Sequence, residues 1–209
     1  ASVLWAADYL MSIGEIKKVL IICPLSIMQV AWADDIFKLV MHRGATVAHG
    51  TRAKREHMLL EADEFTIINY DGVKTVHETL KNIQYDLIVM DECNAVKTAT
   101  TDRWKKINSI ITPDTKIWML TGTPAAQSPV DAFGLAKMNT PSRVPKYFGA
   151  WRDKVMFKVT QFKWSPKSNA TSTVHQALQP AIRHTKADCL DLPPVTYMTR
   201  EVPLTAQQT

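Results

Sequence analysis

Four short runs constrain the fold most: Val19–Cys23 (VLIIC), Phe65–Asn69 (FTIIN), Asp86–Met90 (DLIVM) and Lys116–Leu120 (KIWML). They are nearly continuous in apolar residues instead of alternating apolar with polar. A strand with no polar face must be covered on both sides, which is the situation of parallel strands in an α/β sheet. Ala45–Ala48, a shorter strand candidate, is the second of five runs in chain order. Between the runs, apolar side chains recur at helical spacing, as in Met28, Trp32, Ile36 and Leu39, or Trp104, Ile107 and Ile111. Thr51–Ala62, Gly72–Asn82 and the start of the chain to Ile13 read as further helices. Strand and helix alternate, so the chain is expected to be α/β, with a parallel sheet and right-handed crossovers.

After Leu120 the texture changes. A helix is expected over Asp131–Lys137, and residues 139–173, rich in Pro, Lys, Trp and Ser, read as a small protrusion. A last helix is expected to end near Arg183, followed by an extended exit after Pro193-Pro194. The domain reading is therefore 1–138, 139–173 and 174–209. The net charge of +5 favours a polyanionic partner only mildly. Three cysteines far apart, with no C-x-x-C pair, suggest neither a disulfide framework nor a zinc site. The histidines lack metal-binding spacing, and no run reaches the length of a membrane span.

Chemistry is expected where the strands end, because parallel α/β sheets bind ligands at the carboxyl edge. The fourth run delivers Asp91 and Glu92 to that edge. Adjacent carboxylates repel and are costly to bury, so a cation or a set of donors must meet them. An apolar strand ending in Asp-Glu is the Walker-B pattern, in which Asp holds magnesium and Glu polarises a water. The fifth run leads into Thr121-Gly122-Thr123-Pro124, a turn that permits close backbone approach. The first leads into Pro24-Leu25-Ser26, where Ser26 is a candidate helix cap. The third ends in Asn69-Tyr70-Asp71.

In this order, "ICPLS", "IINYD", "DECN" and "LTGTP" resemble motifs Ia, Ib, II and III of the first RecA-like domain of superfamily-two helicases, specifically the Swi/Snf-like ATPases. "PVDAFGL" resembles the short helix after motif III. "AIRHTKADCLDLPP" and "VPLTAQQ" resemble the stretch that closes this domain and leads to a second one. The resemblance implies a three-layer RecA-like (P-loop NTPase) domain and an ATP-dependent enzyme acting on nucleic acid, with duplex DNA as partner. It assigns ATP and Mg2+ to Asp91, Glu92, Thr121, Gly122 and Thr123, with Asp91 on the metal and Asp91 and Glu92 catalytic. It assigns Pro24, Leu25, Ser26, Asn69 and Tyr70 to the nucleic-acid backbone. The unpaired cysteines fit a reducing, intracellular setting, expected to be cytoplasmic in a microbe or virus and nuclear in a eukaryote. A strand-separating helicase of a neighbouring branch and a non-catalytic nucleic-acid-binding relic are the alternatives.

The chain departs from the pattern in three ways. Asn94 stands where motif II usually has His, and Trp32 falls about one residue out of place for motif Ia. None of the seven glycines is followed by Lys, so the phosphate loop G-x-x-x-x-G-K-S/T is missing. The sequence is thus expected to begin just after that loop, to lack the strand that feeds it, and to need a carboxyl-terminal RecA-like domain. These residues alone are expected to hydrolyse no ATP, and the sheet to carry an apolar groove where the strand is missing. Clusters such as Arg52-Lys54-Arg55 and Arg103-Lys105-Lys106 read as solvated helix faces. Trp151, Phe157, Phe162 and Trp164 read as the core of the protrusion, with base stacking as the alternative.

Overall fold

A computed structural model describes residues 1–125, 127–184, 186–189, 196 and 198–200. Residues 1–179 form one compact unit. Its centre is a five-stranded parallel sheet of β1 (Val19–Cys23), β2 (Ala45–Val47), β3 (Phe65–Asn69), β4 (Leu87–Asp91) and β5 (Lys116–Leu120), in the order β2-β3-β1-β4-β5. Every residue of β1 and β3 is buried, as expected of nearly continuous apolar runs, with Thr66 and Asn69 the polar residues among them. Register brings Ile21 beside Ile67 on one side and Val89 on the other.

Alternate residues of these strands feed two separate cores. Val19, Ile21, Phe65, Ile67, Leu87 and Val89 face α1 (Ser2–Ser12), a π-helical turn (Met28–Ala33) and α2 (Asp34–Leu39), through Leu4, Ala7, Met28, Trp32 and Ile36. Leu20, Ile22, Ile68, Ile88 and Met90 face the other layer. That layer comprises α3 (Arg52–Leu60), α4 (Tyr70–Thr75), α5 (His77–Ile83), α6 (Asp102–Ser109) and α7 (Ala132–Asn139). The result is the three-layer RecA-like architecture.

The differences from expectation have local causes. The helix expected over Gly72–Asn82 starts earlier and breaks at Val76, whose φ of −120° leaves the helical region. Val76 is β-branched and buried in the core, so packing outweighs helix continuity there. The fourth strand takes in Asp91, which pairs in register with Leu120. No gap opens inside the sheet: β1 is paired on both sides, and the expected groove is instead an edge at β5, half-buried from Ile117 to Leu120.

Residues 139–173 share a hydrophobic cluster of their own with α7. Helices α8 (Phe148–Val155) and α9 (Ala170–Ala177) close on α7 around Trp151, with Phe133, Val155 and Val174. A hairpin, β6 (Met156–Lys158) and β7 (Trp164–Pro166), joins the two helices. The last helix of this unit stops at Ala177, not near Arg183, because Pro180 lacks an N–H and disfavours helix in the residue before it. Residues 180–209 form a second unit containing α10 (Lys186–Cys189). Pro193-Pro194 and the stretch VPLTAQQ lie outside the described residues.

Candidate functional site

Asp91 is the last residue of β4, and its two oxygens are met by different donors. Trp32 Nε1 donates to Oδ2 at 3.0 Å, and the Glu92 main-chain N–H donates to Oδ1 at 3.0 Å. A carboxylate has about four lone-pair positions, so the acceptor capacity that remains suits a hard cation. Asp91 lines a cleft of about 220 Å3 with Ala1, Ser2, Trp32, Asp35 and Leu120. The amino end of α1 stands in this cleft, and its unpaired N–H groups favour an anion there.

Glu92 follows Asp91 directly at the end of the strand. Its backbone is left-handed, φ 51° and ψ 50°, which is costly for a residue with a Cβ. Its side chain lines a second cleft, of about 270 Å3, with Pro24, Leu25, Asn69, Tyr70, Asp71 and Arg103. The two adjacent residues thus line different clefts.

The remaining candidates divide into exposed and buried. Leu25 and Ser26 are exposed on a 3-10 turn after Pro24, and Ser26 lies within that turn instead of capping a helix. Asn69 and Tyr70 are buried. Asn69 Oδ1 accepts from Arg55 Nη1 at 3.0 Å, and the Tyr70 hydroxyl donates to the Asp91 carbonyl at 2.8 Å. Burial, with Cys93 and Asp91 nearby, pushes the Tyr70 hydroxyl far above its ordinary range, so it stays a donor. The same burial raises the Cys23 and Cys93 thiols to about 12, which keeps both inert.

The Thr121–Thr123 turn is tied to motif II through Asn94. Its Nδ2 donates to Thr121 Oγ1 at 2.9 Å and to the Thr123 carbonyl at 3.2 Å. The Thr123 N–H returns to Thr121 Oγ1 at 3.3 Å, and Gly122 is exposed between them. Asn94, singled out in sequence only as a departure, is the link between two strand ends.

Three further residues were hidden in sequence. Trp32 reads as a core residue, and the signal for its second role is that a buried indole N–H needs an acceptor. Trp32 lies in the π-helical turn, from which its indole reaches Asp91. Arg55 belongs to a cluster expected to be solvated, yet it is buried and donates to the Ala48 and Gly50 carbonyls as well as to Asn69. Arg103 pairs with Asp71 at 3.0 Å and covers the Tyr70 ring at 5.7 Å.

The SNF2-related domain model matches residues 3–209. The chain belongs to that family. This SNF2-related chain is 24% identical over 138 residues to the human protein "DNA annealing helicase and endonuclease ZRANB3", and equally to the Bos taurus protein of that name. The match takes in 64% of the chain and 12% of either relative's length. Its fold is similar to the Sulfolobus solfataricus SWI2/SNF2 ATPase core domain, with TM-score 0.64 and 22% identity over 90% of this chain and 38% of that one. A second Sulfolobus core, in complex with dsDNA, has TM-score 0.61 and 22% identity over 71% of this chain and 30% of the other. Among the described residues, no helix is long and apolar enough to cross a membrane.

Proposed function

We propose that this chain is the first RecA-like half of a Swi/Snf-like ATPase that couples ATP hydrolysis to movement along duplex DNA. The carrying observation is Asp91 at the end of β4, held by Trp32 beside the amino end of α1. Duplex DNA as partner is supported by the similar Sulfolobus core that is in complex with dsDNA. A second RecA-like domain of the same protein is part of this reading.

Bound as Mg2+·ATP, the metal would neutralise phosphate charge and the nucleotide would supply the scissile bond. Asp91 would hold the metal, oriented by the Trp32 indole and the Glu92 N–H. Those two donors fix the carboxylate in advance, so less order is lost on binding. Glu92 would accept a proton from the attacking water once motion of the neighbouring elements brings it to the nucleotide. Thr121, Gly122 and Thr123 would sense the nucleotide and pass its state to Asn94, two residues from Glu92. Pro24, Leu25 and Ser26 would contact the DNA backbone. Asn69 and Tyr70, being buried, would form the floor behind that contact, and the Tyr70 hydroxyl would link it to Asp91.

The experiment is ATP turnover by the full-length protein with and without blunt duplex DNA. Stimulation by DNA, lost in Leu25→Glu with basal turnover retained, is the expected result. Equal turnover with and without DNA would contradict the proposal.

A further inference from the structure

We propose that the β6–β7 hairpin is a second nucleic-acid contact, one that takes an unpaired base on Phe162 and backbone phosphates on Lys158 and Lys163. It rests on the reading that the partner is nucleic acid, and it adds an element that none of the helicase motifs includes.

The first observation is where the charge lies. Residues 146–167 carry six basic side chains against one acidic, a net +5 that equals the net charge of the whole chain. The other residues are therefore balanced, and the basic character of the protein is concentrated on this one segment. Its one acid, Asp153, pairs with Arg152. Among the described residues Lys154, Lys158 and Lys163 form no ion pair and all are exposed.

A second, independent observation is the aromatic side chain at the tip. Trp151 is buried as the centre of the local core, and Trp164 is half-buried beneath the Arg152 guanidinium at 4.0 Å. Phe162 has neither role: it is 90% exposed, with Phe157 and Val159 each 49% exposed on the same hairpin. An apolar ring held in water gains by stacking on any flat partner, and every base offers a π-face.

The tip is also built to hold its shape. Thr160 Oγ1 accepts from the Phe162 N–H at 3.3 Å and the Lys163 N–H at 3.1 Å, while Val159 N–H donates to the Lys163 carbonyl at 2.8 Å. Phe162 is thus presented on a closed turn, and little backbone order is lost when it binds. Lys158 at the end of β6 and Lys163 just before β7, with a ring between them, match alternating phosphate and base. A single-stranded or gapped segment offers unstacked bases, whereas an intact duplex does not.

The test uses the full-length protein and labelled oligonucleotides, single-stranded and blunt duplex, with anisotropy titrations at several salt concentrations. Phe162→Ala should weaken single-strand binding about 5- to 150-fold, the range of one base stack. It should change blunt-duplex binding by less than about 3-fold, and Phe162→Trp should retain wild-type affinity. The double variant Lys158→Ala/Lys163→Ala should lower the single-strand salt slope by about 1.4, for two lost phosphate contacts. Basal ATP turnover should not move in any of them. Unchanged affinity and slope in all these variants, while Leu25→Glu still weakens duplex binding, would overturn the hairpin contact alone. A lower melting temperature in Phe162→Ala with DNA affinity intact would also overturn it, because the ring would then be packing against protein. Absence of nucleic-acid binding by the wild type would overturn the underlying reading as well.

Discussion

The Asp91 carboxylate is oriented by one indole and one main-chain N–H, and only the indole can be removed by mutation without touching the backbone. Trp32→Phe keeps an aromatic ring in the core and deletes the N–H. A hydrogen bond to a charged group contributes about 1.5–3 kcal/mol. The Mg2+ concentration for half-maximal ATP binding should therefore rise by at least about 10-fold, with a smaller change in melting temperature than truncation to Ala would give. Mn2+ binding followed by electron paramagnetic resonance in the presence of ATP measures this without turnover. Asn94 invites a second residue-scale prediction. Asn94→Ala removes both bonds to the Thr121–Thr123 turn, so duplex-stimulated turnover should fall toward the basal rate while ATP binding is retained. Full stimulation in Asn94→Ala would mean the link carries no signal.

At the scale of elements, the buried Arg55 fastens α3 to the ends of β2 and β3. Its guanidinium satisfies the Ala48 and Gly50 carbonyls and Asn69 Oδ1, and a Cβ on Gly72 would stand 2.3 Å from its Nη1. Arg55→Met leaves three acceptors without that donor and should destabilise the protein by about 2–3 kcal/mol in urea unfolding. On the other side, Gly134 of α7 approaches the turn after motif II so closely that a Cβ would lie 2.2 Å from the Lys97 carbonyl oxygen. The clamp on α1 is ionic. Arg43 beside Asp8, assisted by His42, holds the Asp8 carboxyl below its usual range, and Arg43 also pairs with Glu64. Because the folded pKa is depressed, this stabilisation is present above the unfolded value and is lost as pH falls through the folded one. Melting temperature should drop more steeply below about pH 4 in the wild type than in Asp8→Asn. An identical pH profile for the two would mean that the pair contributes nothing.

At the scale of the molecule, the sheet was legible because two-sided burial leaves little freedom of composition. VLIIC, FTIIN and KIWML are strands at the very residues expected. The site was legible only where strand ends carry it. Asp91, Glu92 and Thr121 follow from the chain's own order, whereas Trp32 is 59 positions from Asp91 and meets it only through the packing of one helical layer. Arg55 shows the converse: a basic cluster on a helix gives no sign of which member turns inward. The open side of the sheet likewise depends on strand order, which local sequence does not encode, so an interior groove was expected where an edge exists.

The central claim is that Asp91 and Glu92 divide their labour, Asp91 holding the metal and Glu92 taking the proton of the attacking water. The most direct test is equilibrium binding of Mg2+·ATP to the full-length protein, measured by calorimetry for the wild type, Asp91→Ala and Glu92→Gln, alongside turnover. Asp91→Ala should lose most of the Mg2+-dependent part of ATP affinity. Glu92→Gln should bind within about 3-fold of the wild type yet lose turnover by at least about 100-fold, the usual scale of a general base. Near-normal turnover in Glu92→Gln, or equal loss of binding in both variants, would contradict the division.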